Sequence, residues 1–265
     1  MDYGEIIKDS IGYSRNALIG NWKNWLVFIL CSLPFALMML LLNPEKIQTA
    51  DYWLYFPWAQ FIGLLLAGVI LSFFTSGYIV RVFRSVKSAP VFDNWGQVFT
   101  DGIKLTILEF IWILPTSFFL GAAISFLMNF TRMGGMASPG LRLVLVLLVF
   151  IAIVLTIATI LCIIPGSIRF ARTGSIREGI RFFALMNTVG AIGLGSYILA
   201  LVILLITAIV FFLVISVFTL IPFIGWVLNL VFYPFFVVFA AHYVSRVYDY
   251  ATPLAPAVAE PASGT

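Results

Sequence analysis

Six apolar runs, each about as long as a bilayer is thick, decide what this chain can become. They cover roughly Trp25–Leu42, Trp58–Val82, Leu105–Phe130, Leu141–Ile168, Val189–Ile221 and Gly225–Val244. A helix rises 1.5 Å per residue, so about 20 apolar residues cross a ~30 Å hydrocarbon core. The first run, about 27 Å as helix, only just suffices. The fourth and fifth exceed the need, which predicts tilt, a kink or extension past the bilayer. Hydrophobic residues make up 62% and charged residues 10% of the 265, against roughly half and about a quarter in soluble domains. In lipid the backbone must satisfy its own hydrogen bonds, and runs of this length do so as helices. The expected fold class is therefore all-α: a polytopic integral membrane protein with six transmembrane helices. One membrane domain is expected over 1–250. The Pro/Ala-rich residues 251–265 have little to bury and are expected to be a disordered tail.

Lys and Arg set the orientation. Twelve of the fifteen fall in the terminal segments and the even-numbered loops: Lys8, Arg15, Lys23, Arg81, Arg84, Lys87, Lys104, Arg169, Arg172, Arg177, Arg181 and Arg246. Only Lys46, Arg132 and Arg142 lie on the other side. Both termini are expected in the cytoplasm. Residues 1–24 carry Asp2, Glu5, Lys8, Asp9, Arg15 and Lys23 without the apolar core of a signal peptide, so the first span is expected to be retained. On the external side, Tyr52, Trp53, Tyr55, Phe56 and Trp58 read as an aromatic belt at headgroup level. Thr131–Gly140 reads as a Gly/Pro/Ser loop, and Pro222 centres a very short turn.

Three cytoplasmic segments read as short interfacial helices. In the second, Phe92, Trp95, Val98, Phe99, Gly102 and Ile103 share one face, with Asp93 or Asn94 as cap after Pro90. Phe92, Trp95 and Phe99 are its expected interfacial anchor. In the third, Ser175 and Glu178 form a capping box and Ile176, Ile180 and Phe183 mark the stripe. In the first, Asp2 and Glu5 offer a weaker cap, and Ile7, Ile11, Ser14 and Leu18 make the stripe. Each segment precedes a hairpin of two spans, and each hairpin ends in an i, i+3 pair: Arg81 and Arg84, Arg169 and Arg172, Arg246 and Asp249. Small residues precede each pair. This predicts three repeat units, 1–86, 87–173 and 174–250, although any cytoplasmic span end attracts small residues and arginine.

Little in the chain carries reaction chemistry. Cys31 and Cys162 lie in apolar runs without His neighbours, so neither a disulfide framework nor a metal site is expected. His242 reads as a satisfied structural histidine ahead of a proton relay. Glu109 is the one acid inside an apolar run; an intramembrane acid is a functional candidate, but this one is about 7 Å past Lys104 along a helix, within reach of the border. Pro34, Pro115, Pro165 and Pro234 interrupt spans and are expected to kink them. No nucleophile elbow, phosphate loop, zinc-protease or dinucleotide motif occurs. The net charge of +4 sits beside spans rather than in a separate basic domain, which argues against nucleic acid. The candidate site is instead the arginines Arg81, Arg84, Arg169, Arg172, Arg177, Arg181 and Arg246, placed where lipid phosphates lie; each is worth about 1 kcal/mol near an anionic surface. Ordinary positive-inside orientation accounts for them equally well.

The segment Gly77, Tyr78, Arg81, Arg84, Pro90, Phe92, Asp93, Asn94, Trp95, Gly96, Phe99, Asp101, Gly102 and Lys104 resembles a motif of the membrane family known as domain of unknown function 4013. The six-span layout extends the resemblance to about residues 1–250. The family is mostly archaeal with some bacterial members, which implies a prokaryotic cytoplasmic membrane. It more distantly resembles membrane domains found beside glycerophosphodiester phosphodiesterases, which implies a lipid-linked role and carries over no catalytic residue. The expected function is a non-enzymatic membrane protein, without cofactor or metal, that engages anionic lipid or a partner at the cytoplasmic face. The alternative is a small-solute transporter or channel using kinked spans and Glu109. Substrate, protein partner and homo-oligomer are left open.

Overall fold

A computed structural model describes residues 1–42, 50–84, 88–132, 138–218 and 224–251. Among these the chain forms ten helices: α1 (Tyr3–Leu18), α2 (Trp22–Leu41), α3 (Ala50–Leu54), α4 (Trp58–Arg84), α5 (Trp95–Arg132), α6 (Pro139–Thr173), α7 (Ile176–Gly179), α8 (Phe182–Ile192), α9 (Leu194–Phe218) and α10 (Ile224–Asp249). Six of them, α2, α4, α5, α6, α9 and α10, are long and apolar enough to cross a membrane. This is the all-α, six-span architecture that the apolar runs predict, that of a multi-pass membrane protein. Pro34, Pro115, Pro165 and Pro234 all sit inside continuous helices. The tail from residue 252, Lys87, the centre of the Thr131–Gly140 loop and the Pro222 turn lie outside the described residues.

Two local expectations are corrected, and a third in part. The second cytoplasmic segment is no separate short helix: α5 starts at Trp95 and runs unbroken for 38 residues. In the third segment the capping box does not form. Ser175 precedes α7 but makes no side-chain cap hydrogen bond; the reciprocal bond is absent too, since the Glu178 carboxylate is taken by two arginines and the Ser175 N–H donates to Thr173 Oγ1 at 3.3 Å. The long fifth run is kinked, one of the outcomes its length predicts: Gly193 adopts φ +90° between α8 and α9, a conformation glycine reaches without steric cost. The first segment keeps its cap: the Asp2 side chain accepts from Glu5 N at 3.1 Å. Its stripe is as expected at Ser14 and Leu18, which are buried, but elsewhere Ile6, Ser10, Tyr13 and Ala17 are the buried residues, while Ile7 is half-buried and Ile11 exposed.

The chain divides into two compact units, Met1–Ile103 with Ala191–Thr265, and Lys104–Gly190. In the first, α1 packs on α10, α2 on α4, and α10 also touches α2, α4 and α9. Its core is aromatic: Phe28 meets Tyr78 edge-on at 5.0 Å, and Phe92 stacks on Tyr78 at 4.7 Å. At the other end of α4, Trp58 joins Trp53, Phe56 and Phe61 in a cluster, with Phe56 buried and Tyr55 82% exposed. The expected aromatic belt is thus partly a packed cap on α4. In the second unit, α6 packs on α7. Thr116 and Thr159 hydroxyls lie 2.7 Å apart, a cross-helix pair of the kind that joins membrane helices.

Candidate functional site

Of the nominated arginines, Arg81, Arg84, Arg169, Arg172 and Arg246 sit at the ends of α4, α6 and α10, which cross α5, α7 and α1 at close range, while Arg177 lies on α7 and Arg181 just after it. Small residues permit the approach. A Cβ on Gly77 would overlap the Val98 carbonyl, and one on Gly102 the Phe73 carbonyl. A Cβ on Gly166 would lie 2.6 Å from Gly179 O, and one on Gly179 2.9 Å from Gly166 O. Where α10 meets α1 the small residue is Ser10, fully buried. Its hydroxyl donates to Ile6 O at 2.7 Å and lies 3.0 Å from His242 Nδ1. Since serine has one proton, Nδ1–H of His242 is the donor. The His242 ring also stacks on Tyr13, centroids 4.0 Å apart. His242 is thereby bound into the α1–α10 contact.

Beside each small residue is an acid that takes an arginine from the crossing span. Arg84 Nη1 donates to Asp101 Oδ2 at 2.7 Å, Arg169 Nη2 to Glu178 Oε2 at 2.7 Å, and Arg246 Nε lies 3.0 Å from Asp9 Oδ2. The three acids open the same tripeptide pattern: Asp9-Ser10-Ile11, Asp101-Gly102-Ile103 and Glu178-Gly179-Ile180. Sequence reasoning missed this signature. Asp101 lies outside the apolar face expected of its segment, yet it is 6% exposed, because Arg84 folds down onto it. Glu178 is shared with Arg181 at 2.7 Å, and these two guanidinium groups, Arg169 first, hold its carboxyl below the usual value of 4.5.

Arg81 adds a fourth contact of a different kind. It donates to Val91 O at 2.8 Å and Asp93 O at 2.9 Å, and pairs with the Asp93 carboxylate. Asn24 holds the same segment from the far side, donating to Pro90 O and accepting from Phe92 N. Tyr78 donates to Pro90 O at 3.0 Å. Asn24 escaped the sequence reading; a buried amide in the first turn of a span was its signal. The pinned segment closes a surface pocket of about 340 Å³ lined by Arg81, Arg84, Pro90, Val91, Asp93, Asn94 and Gln97. Asn94, at φ +45°, turns the chain into α5, so the positive end of that helix faces the pocket.

Phe92, Trp95 and Phe99 pack onto α4 and one another: Trp95 on Phe92 and Phe74, Phe99 on Phe73 and Phe74. Trp95 keeps 48% of its surface exposed. Arg172 and Arg177 are exposed beside the Glu178 cluster. Glu109 is half-buried on α5. Among the described residues no group of three His, Cys, Asp or Glu side chains is placed to hold a metal.

The family model described as a protein of unknown function, DUF4013, matches residues 60–220. That range holds Arg81, Arg84, Arg169 and their carboxylate partners. No curated protein matches the chain. No solved structure matches it either.

Proposed function

The chain belongs to this family of unknown function, and on that premise we propose that it is a non-enzymatic multi-pass membrane protein that engages anionic lipid headgroups at its cytoplasmic face. The observation that carries the reading is the pocket of Arg81 and Arg84 at the end of a span. Two guanidinium groups, the Asn94 and Gln97 amides and the start of α5 converge there, a donor set that suits a phosphate oxygen. Asp93 is the present partner of Arg81, and its side chain is 76% exposed. A lipid phosphate arriving from the membrane surface takes its place, and Asp93 swings to solvent. Arg172, Arg177 and Arg181 lie at the corresponding end of α6 and supply a more diffuse contact. Arg84 shares its guanidinium between Asp101 and this pocket, whereas Arg169 and Arg246, paired with Glu178 and Asp9 away from it, act mainly in holding helices together.

The distribution of Lys and Arg supports a cytoplasmic location for both termini and this pocket. The recurring acid–small–Ile pattern, each acid taking an arginine from a preceding span or, for Asp9, from the last, supports a threefold repeat. Native mass spectrometry of the purified protein with cardiolipin and with phosphatidylcholine tests the reading. Cardiolipin should be retained preferentially, and Arg81→Gln with Arg84→Gln should abolish the preference. Equal retention by wild type and the double variant would overturn it.

A further inference from the structure

We propose that the cavity bounded by α2, α4 and α10 binds an uncharged lipid bearing free hydroxyl groups. The cavity holds about 530 Å³, within the range of small-molecule sites. It runs beside Cys31–Met39 of α2, Ser72–Ile79 of α4 and Asn229–Val237 of α10. Each stretch is about 12 Å of helix, so the slot occupies a large part of the bilayer's apolar depth. No acidic, basic or histidine side chain is among its lining residues. A charged occupant would have no counter-ion there, and intramembrane charge is expensive without one.

The polar groups of the lining define the occupant further. On α4, Ser72, Thr75 and Ser76 follow i, i+3, i+4 spacing and form one hydroxyl stripe. Ser72 Oγ donates to Val69 O at 2.7 Å, and Ser32 Oγ donates to Phe28 O at 2.9 Å. With their protons committed, these hydroxyls offer only lone pairs. Pro234 leaves the carbonyl of Leu230, another lining residue, without its helical donor. These acceptors, one from each helix, require an occupant that donates, which is what free hydroxyls do. Beside Leu230, Asn229 and Tyr233 sit one turn apart on α10 and have no hydrogen-bond partner among the described residues. Apolar surroundings make an unpaired amide and phenol costly, and an ester or hydroxyl oxygen of the same lipid satisfies them. Serine and threonine also serve as simple helix adhesive in membranes, but that role requires closed packing, and here they face open space. Phe35, Met39 and Ile79 complete an apolar wall for an acyl chain.

The experiment uses a monoacylglycerol carrying a diazirine and an alkyne in its acyl chain, with the full chain in lipid nanodiscs. Photolabel should map to 31–39, 72–79 and 229–237. Unlabelled monoacylglycerol should compete, and the methyl ester of the same acid, lacking hydroxyls, should compete roughly tenfold less well. Ala36→Trp, which fills the slot, should remove the label. If that variant does not fold, Ser72→Ala with Asn229→Leu should weaken competition severalfold while leaving the volume open. Arg81→Gln alone, which keeps the Arg84–Asp101 pair, should leave labelling unchanged, which separates this site from the headgroup pocket. Label spread over the lipid-facing surface, insensitivity to both cavity variants, or equal competition by the methyl ester would each overturn the proposal.

Discussion

Arg246 and Asp9 meet at 3.0 Å and tie the last described helix to the first. The pair is accompanied by a buried contact one residue along, Ser10 with His242 at 3.0 Å. The two contacts differ in strength for a physical reason. Arg246 and Asp9 are 35% and 48% exposed, so water and salt screen their attraction. Ser10 and His242 are 0% and 1% exposed, and a buried polar group left without its partner costs its full desolvation.

A double-mutant cycle with Asp9→Asn and Arg246→Gln should therefore return a coupling of about 0.2–1 kcal/mol. Ser10→Ala, which leaves the His242 ring without its acceptor, should cost about 1–3 kcal/mol by itself. Unfolding in mild detergent by a graded denaturant measures both. A coupling larger than the Ser10 effect would mean that the ion pair, and not the buried contact, docks α1.

The crossings of α4 with α5 and of α6 with α7 should be intolerant of one methyl group. Gly102→Ala drives a Cβ into the Phe73 carbonyl, and Gly179→Ala puts one 2.9 Å from Gly166 O and 2.8 Å from Leu108 Cδ2. The obstacles include backbone, which cannot rotate away, so each substitution should destabilise by at least about 1–3 kcal/mol. Gly63 and Gly121, helical glycines with nothing within 4 Å of an added Cβ, are the controls. Alanine there should be neutral or stabilising by roughly 0.5–1 kcal/mol. Thermal unfolding of the four single variants distinguishes these cases, and similar losses at Gly102 and Gly63 would contradict the close crossing.

The parts legible in the sequence are those set by simple periodicity or length. The six spans follow from apolar runs that only lipid can house, and the Asp2 cap follows from a free carboxylate with no cation at hand. The parts that were missed involve a polar residue drawn inward by a distant partner. Ser10 is buried in place of Ile11 because His242, far along the chain, needs an acceptor. Asp101 turns inward to Arg84. The Glu178 carboxylate turns to Arg169 and Arg181 instead of the Ser175 N–H. The acid–small–Ile pattern was written in the sequence three times, but a hydrophobic stripe count assigns Asp and Ser to solvent and passes over it. Arg81, Arg84, Arg169, Arg172 and Arg246 lie at span ends. That their first partners are carboxylates of the next helix, or for Arg246 of α1, was hidden, since ion pairing across helices leaves no local spacing to read.

Acid should loosen α7 from α6. Arg169 and then Arg181 hold the Glu178 carboxyl below its usual value of 4.5. A carboxylate with a depressed folded-state pKa stabilises the fold at every pH above the unfolded value, and that stability is lost as pH falls through the folded one. The protein should therefore be indifferent to Glu178 titration near neutrality and lose part of its stability below about pH 4.5. Glu178→Gln should flatten that part of the profile while lowering stability at pH 7. Melting temperatures from pH 7 down to 3.5, wild type beside Glu178→Gln, test this, and parallel profiles would show that the arginines do not act through this carboxyl.

Asp93 should act against lipid phosphate at the Arg81 pocket. It is the carboxylate that Arg81 holds now, yet most of its own side chain lies in solvent, so the pairing is weakly anchored from one side. Removing its charge with Asp93→Asn frees Arg81 for a phosphate and removes the one exposed negative group from the pocket lining. Anionic lipid retention should rise, by about 1 kcal/mol or some fivefold, the scale of a single charge near a membrane surface. Asp101→Asn should behave differently. That carboxyl is buried against Arg84, and its loss unseats α5 as well as the charge, so stability should fall alongside any change in lipid binding. Native mass spectrometry across a cardiolipin titration separates the two. If Asp93→Asn binds cardiolipin no better than wild type, Asp93 is only a loop fastener and the phosphate does not take its place.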